Sequence, residues 1–141
     1  MKRWAAFALL VLALNLVWEM LQAKWFASMH DLSPMRATLL CFRAAAGDLA
    51  ITGIAFMVAA LVGRTVTWPA ERRVVIPAAV FIAVGLAIAI GYEVFALSTA
   101  RWNYDETMPT LFGIGLLPLL QWLLIPITEV WLFRAIWRRA P

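Results

Sequence analysis

Residues 4–26 read WAAFALLVLALNLVWEMLQAKWF. Apart from Asn15, Glu19, Gln22 and Lys24, every side chain in that run is apolar. About 20 helical residues cross a ~30 Å hydrocarbon core, so an apolar run of 18 or more marks a membrane-spanning helix. Three further runs, about 36–62, 74–98 and 111–133, read the same way. None shows the period-2 alternation over roughly ten residues that a transmembrane barrel needs. Backbone groups in lipid must be paired within the segment, which leaves helices. The sequence predicts an all-α, four-transmembrane-helix antiparallel bundle, a single membrane domain over residues 1–141.

Composition agrees. Of 141 residues, 65% are hydrophobic and 14% charged, against about a quarter charged in a soluble domain. The first run follows a basic start, Lys2-Arg3, as a signal peptide would. It is long, however, carries Glu19 and lacks a small-x-small cleavage pattern, so it reads as a retained helix. The single cysteine, Cys41, excludes an internal disulfide framework and paired-cysteine redox or zinc motifs, and reads as a small packing residue. His30, beside Asp31, reads as a solvated loop residue, because a metal site needs several converging ligands. No nucleic-acid motif is present, and nothing in the sequence calls for a cofactor or a metal.

The net charge of +4 finds its explanation in topology. Lys2, Arg3, Arg64, Arg72, Arg73, Arg134, Arg138 and Arg139 fall on one side of the predicted bundle. Lys24, Arg36 and Arg101 fall on the other, diluted by Asp31, Asp105 and Glu106. The positive-inside rule then predicts both termini in the cytoplasm of a bacterial inner membrane. The 27–35 and 99–110 loops face outward. Trp25, Trp68, Trp102 and Trp137 fall near the predicted interfaces, where tryptophan anchors helices.

Asn15, Glu19 and Gln22 are spaced i, i+4, i+7 and share one helix face. With alternating helix directions, Asp48, Glu93 and Gln121 come to a similar depth in the other three spans. Arg43 lies five residues from Asp48, with a long arm that can reach back or snorkel. The 99–110 loop supplies Trp102 and Tyr104 above them, and Glu129 is left alone towards the cytoplasmic end. A charge at the bilayer centre costs about 2.5–3.5 kcal/mol on insertion scales, so such groups are expected to face a bundle interior or a wet cavity. The sequence therefore predicts a carboxylate-lined cavity in the outer half of the membrane. Glu19, Asp48 and Glu93 are the candidate catalytic acids. Asn15, Trp18, Gln22, Arg43, Tyr92, Trp102, Tyr104 and Gln121 are the candidate substrate-binding residues. A structural reading stands beside this one. An Arg43–Asp48 ion pair could fix helix register, and the amides could be interhelical hydrogen bonds worth about 0.6 kcal/mol each. Pro118, Pro126 and the GIG of 113–115 are expected to kink or loosen the fourth helix.

Desolvation disfavours the charged form of a carboxyl. One acid in an apolar cavity can then donate a proton to an alkene, epoxide or carbonyl while an ionised neighbour accepts one. Aromatic faces such as Trp18, Tyr92, Trp102 and Tyr104 could shelter a cationic intermediate. That combination suits cyclisation, isomerisation or hydration of a lipid-soluble, isoprenoid-like substrate.

The NLVWE segment, residues 15–19, resembles the asparagine-x-x-tryptophan-glutamate signature of membrane-bound terpene cyclases. The resemblance implies that Glu19 is a proton-transferring acid, with Asp48 or Glu93 as the second. NLVWEMLQ, AAAGD, RWNYDETMP and GIGLLPLLQW together resemble a group of uncharacterised small bacterial four-helix membrane proteins. That likeness implies fold and topology and carries no activity. Two readings of other classes remain open. One is a proton-coupled small-molecule transporter working as a homodimer, similar to the small multidrug-resistance exporters. The other is an accessory subunit of a larger membrane complex, whose polar groups pair with a partner helix or hold a metal, since a carboxylate-rich site can bind a hard cation. An enzyme predicts an apolar tunnel ending at Glu19, a transporter an aqueous path through a dimer, and an accessory subunit no sizeable cavity.

Overall fold

The computed structural model describes residues 2–138. Met1 and residues 139–141, including Arg139 of the basic count, lie outside the described residues. Four helices carry the fold: α1 (Lys2–Gln22), α2 (Pro34–Gly63), α3 (Val75–Ser98) and α4 (Leu116–Arg138). All four are long and apolar enough to cross a membrane. They pack as a ring of neighbours, α1 on α2, α2 on α3, α3 on α4 and α4 back on α1.

Local chemistry sets the helix ends. Pro34 opens α2 directly after an extended Ser33, where a missing N–H is harmless. Arg64 closes α2 in the left-handed conformation (φ 56°). Thr65 N–H then reaches back to the Ala60 carbonyl at 3.1 Å, as helix C-caps do. At the end of α3, Ala100 adopts φ 52°, and Arg101 N–H returns to the Ala96 carbonyl at 2.9 Å.

Three boundaries differ from the sequence reading, the end of α1 and both ends of α4, which runs on past 133 to Arg138. α1 stops at Gln22, and short 3₁₀ turns at Ala23–Trp25 and Ala27–Met29 carry the chain onward. Phe26, expected as the last residue of a helix, instead forms a β-bridge with Tyr104. α4 begins at Leu116, because Thr110–Leu111 (β1) and Ile114–Gly115 (β2) pair as a small antiparallel hairpin. Its turn holds Phe112 at φ 52° and Gly113 at φ 79°, a turn of the kind that suits tight hairpins.

The connections meet in pairs. At one end, the α1–α2 and α3–α4 segments are joined by Ala27 N–H to the Asn103 carbonyl (3.0 Å) and Asp105 N–H to the Trp25 carbonyl (2.9 Å). At the other end, the Arg134 guanidinium of α4 donates to the backbone carbonyls of Pro69 and Glu71 between α2 and α3. The aromatic core lies at this second end, where Phe7, Phe56, Trp68, Phe81 and Phe133 are all buried. Trp68 corrects the interface-anchor reading. It is buried within ring contact of Phe56 and Phe81, at centroid separations of 5.4 and 5.6 Å, because the short α2–α3 connection folds it under the bundle rather than out to the membrane surface.

Lipid tails are as apolar as leucine, so close van der Waals packing must hold such helices together, and small residues permit it. Ala45, Ala55, Ala59, Ala60, Ala89 and Ala96 are buried between helices. Gly85 of α3 admits the Trp122 indole of α4 so closely that a Cβ there would lie 2.5 Å from ring carbons.

Candidate functional site

The site begins with the face of α1 that the i, i+4, i+7 spacing predicts. Asn15 and Gln22 are buried, and Glu19 between them is half-buried. Trp18 Nε1 donates to Gln22 Oε1 at 3.0 Å. Gln22 Nε2 then donates to Glu19 Oε1 at 2.8 Å and, across the bundle, to Gln121 Oε1 at 3.4 Å. Gln121 of α4 is the hub. Its Nε2 donates to Asn15 Oδ1 and to Asp48 Oδ2, both at 2.9 Å, so one amide ties α4 to α1 and to α2. The chain ends on α1, where Asn15 Nδ2 donates to the Val11 carbonyl at 2.9 Å.

Gln22 and Gln121 each spend both N–H groups, the full donor capacity of a carboxamide, while Asn15 spends one. Those donors orient one oxygen of Glu19 and one of Asp48. The two carboxyls, from separate helices, are linked through Gln22 and Gln121. Cys41 lies behind them, its thiol 3.7 Å from the Glu19 backbone carbonyl, which fits the packing role between α1 and α2.

Glu93 of α3 stands apart from the amide chain and is buried. Its Oε2 accepts a short hydrogen bond from the Tyr104 hydroxyl and a longer one, 3.4 Å, from Trp102 Nε1. Tyr104 is fixed in turn by Gly115 N–H, which donates to its oxygen at 2.9 Å. A Cβ at Gly115 would sit 3.1 Å from the Tyr104 ring, so this glycine lets the loop lie flat on the start of α4. Burial first, then the hydrogen bond to Glu93, push the Tyr104 phenol above the ordinary tyrosine range. Farther out on the same loop, the Asp105 carboxyl accepts from the Thr107 hydroxyl (2.6 Å) and N–H (2.9 Å). These bonds, hydroxyl first, hold it below the ordinary carboxylate range. His30 lies 3.8 Å from Asp105 and 3.0 Å from the Lys24 carbonyl. It is exposed, as a solvated loop residue is.

The remaining candidates lie at the margin. Tyr92 is exposed and packs against Trp102 with ring centroids 5.5 Å apart and planes tilted by 60°. Arg43 is exposed on α2. Among the described residues it makes no ion pair with Asp48, so the register-fixing pair is absent. Thr52 and Glu129 were not among the sequence candidates for the site. Both are buried. They line, with Asn15, Gln121, Trp122, Ile125 and Pro126, a gap too tight for a water molecule. Gln121, Ile125 and Glu129 recur every four residues along one stripe of α4, and that spacing was the signal available for Glu129.

No group of three or more His, Cys, Asp or Glu able to hold a metal occurs among the described residues. Comparison with protein-family models, with curated proteins and with solved structures found no match. The chain is a small membrane protein of four long apolar helices packed as a bundle.

Proposed function

We propose that this protein performs acid–base chemistry on a lipid-soluble, isoprenoid-like substrate, with Glu19 and Asp48 as the proton-transferring pair and Glu93 as a third acid. The observation that carries this reading is the meeting of Glu19 and Asp48 from different helices. Each is aimed by an amide donor, and no basic side chain among the described residues pairs with either. A register-fixing ion pair would need a cation, and a sealed hydrogen-bond network would be buried throughout. Both acids are instead only half-buried, so the pair reaches the flank of the bundle, where a substrate dissolved in the bilayer can meet it. One carboxyl gives its proton to an alkene carbon. The other removes a proton from a carbon next to the resulting cation, which gives isomerisation; where the π pair of a second double bond first attacks the cation and forms a carbon–carbon bond, the same deprotonation of the new cation gives cyclisation, in both cases with no change in composition. Addition of water to the cation, with loss of its proton to the same base, gives hydration. Trp102 and Tyr104, bonded to Glu93, are the aromatic groups that would shelter a cationic intermediate in this reading.

In this reading the bundle is antiparallel, with both termini on the cytoplasmic side of a bacterial inner membrane, as the distribution of basic residues supports. The carboxyl pair then lies towards the outer leaflet. The experiment is incubation of the purified protein in vesicles with a bacterial lipid extract, followed by mass spectrometry of the apolar fraction. An isoprenoid alkene is expected to shift in retention at constant mass, or to gain one water. Glu19→Gln and Asp48→Asn should each lower the rate at least about 10²-fold, the usual worth of a positioned acid or base. Equal turnover by wild type and both variants, or none by any, ends the proposal.

One observation favours a second reading. The gap beside Asn15 and Gln121 admits no water, and a closed amide network is what an accessory subunit or a purely structural seam would build. In that case Glu19→Gln changes unfolding temperature or co-purification with a partner, and no lipid product depends on it.

A further inference from the structure

We infer that the recess at the α2–α3 connection binds the headgroup of an anionic phospholipid, with its phosphodiester held by Arg72 and Arg73. The site is separate from the Glu19–Asp48 pair and does not rest on the acid–base reading.

The recess has a volume of about 440 Å³, within the range of small-ligand sites. Gly63 at the end of α2, Pro77 of α3, and Thr65, Trp68, Glu71, Arg72 and Arg73 between them line it. Its walls are packed in place. A Cβ at Gly63 would lie 2.9 Å from the Trp68 Cβ and 3.2 Å from the Pro77 Cγ, so this glycine lets the connection and α3 close on the end of α2. Trp68 and Pro77 are buried. Arg134 of α4 donates to the carbonyls of Pro69 and Glu71, which pins the connection from the other side.

The charge of the lining points to the ligand. Arg72 and Arg73 are exposed, and neither pairs with a carboxylate among the described residues. Glu71 is the one acid in the lining. Its carboxylate accepts from the Thr67 hydroxyl at 3.3 Å, and Thr67 shares a 2.9 Å hydrogen bond with the Thr65 hydroxyl. Two guanidiniums less one carboxylate leave one positive charge in excess, which matches the single negative charge of a phosphodiester. A guanidinium fork can grip two phosphate oxygens at once.

Position selects a lipid over free phosphate. With 30 residues, α2 is about 45 Å long at 1.5 Å per residue. Hydrocarbon and headgroup layers together span about 40–45 Å, so the Gly63 end emerges at headgroup level. The adjoining turns expose Leu61, Val62, Val75 and Ile76, apolar surface along which acyl chains can lie. Inorganic phosphate gains nothing from that surface. Basic recesses between helix ends are where membrane proteins take anionic headgroups.

The test uses the full-length protein in mild detergent. Retained lipid is counted by native mass spectrometry. Thermal unfolding is followed on titration with phosphatidylglycerol, phosphatidylcholine or inorganic phosphate. One phosphatidylglycerol per chain should be retained in preference to phosphatidylcholine, which brings a fixed cation of its own, and phosphatidylglycerol alone should raise the unfolding temperature. An arginine near an anionic lipid is worth roughly fivefold in binding, so Arg72→Gln/Arg73→Gln should weaken retention at least about tenfold. Lys2→Gln/Arg3→Gln removes the same charge outside the recess and should leave retention unchanged. If the arginine double variant does not fold, Arg72→Gln and Arg73→Gln singly should each weaken retention roughly fivefold. Equal retention of the two lipids, equal effects of the two double variants, unchanged retention in the single variants, or equal stabilisation by inorganic phosphate overturns the inference.

Discussion

Gln121 carries more of the site than any acid does. It accepts from Gln22 and donates to Asn15 and Asp48, so its loss strands polar groups on two other helices. Membrane hydrogen bonds average about 0.6 kcal/mol, but a buried polar group left unpaired costs about 1–3 kcal/mol. Gln121→Leu is therefore expected to destabilise the bundle by about 1–3 kcal/mol in reversible unfolding from detergent, with the larger figure if Asp48 stays dry. A change below about 0.5 kcal/mol would mean that water already satisfies those groups. Tyr104 gives a pH signature at the same scale. Its folded pKa lies above its unfolded value of about 10, because burial and the Glu93 hydrogen bond disfavour the phenolate. Its contribution to stability is complete below pH ~10 and falls as pH rises beyond that point, since the unfolded chain loses the proton first. In a Tyr92→Phe background, whose one tyrosine is Tyr104, the phenolate absorbance step near pH 10 should be missing from folded protein and appear on unfolding. A normal step in the folded protein would refute the clamp on Glu93. At this scale the sequence was legible where spacing along one helix sufficed. Asn15, Glu19 and Gln22 do share a face. The five-residue spacing already turns Arg43 away from Asp48, and its long arm does not reach back to pair. Glu129 was passed over because depth in the membrane, the measure used to gather the acids, says nothing about which face a residue occupies.

Among elements, the α3–α4 contact is the most sharply specified. A Cβ at Gly85 would overlap the six-membered ring of Trp122 at 2.5 Å, and Trp122 is buried. Alanine at this position gains up to ~1 kcal/mol of helix propensity but must push the ring aside, and overpacking of this kind costs about 1–3 kcal/mol. Gly85→Ala should lower the unfolding temperature, and Trp122→Leu should restore most of the loss in the double variant. Additive effects of the two changes would show that the rings and backbone do not touch. The boundary of α4 illustrates what pattern cannot supply. TLFGIG is apolar enough to extend a helix, and short apolar runs are ambiguous between helix and strand. The decision came from Phe112 and Gly113 entering positive φ, and from Gly115, whose missing side chain makes room for the Tyr104 ring.

For the molecule as a whole, the expected orientation is open to a direct check. Cys41→Ala removes the sole cysteine, and single cysteines can then replace His30 or Arg72. A membrane-impermeant thiol reagent applied to intact bacterial spheroplasts should label the His30→Cys protein, and the Arg72→Cys protein only after lysis. The reverse pattern would invert the bundle and place the carboxyl pair towards the cytoplasm. The chain by itself determined that there are four spans, roughly where each lies, and that polar groups are buried in them. Those conclusions follow from transfer free energy and helix periodicity, which are properties of single segments. Which polar groups meet was decided only by the tertiary structure. Contact between Gln121 and Asp48, the Tyr104 clamp on Glu93, the burial of Trp68 and the unpaired state of Glu129 all depend on the rotation of each helix about its axis. That rotation is fixed by how small residues such as Gly85 and Ala59 let particular neighbours close together, and no segment carries it alone.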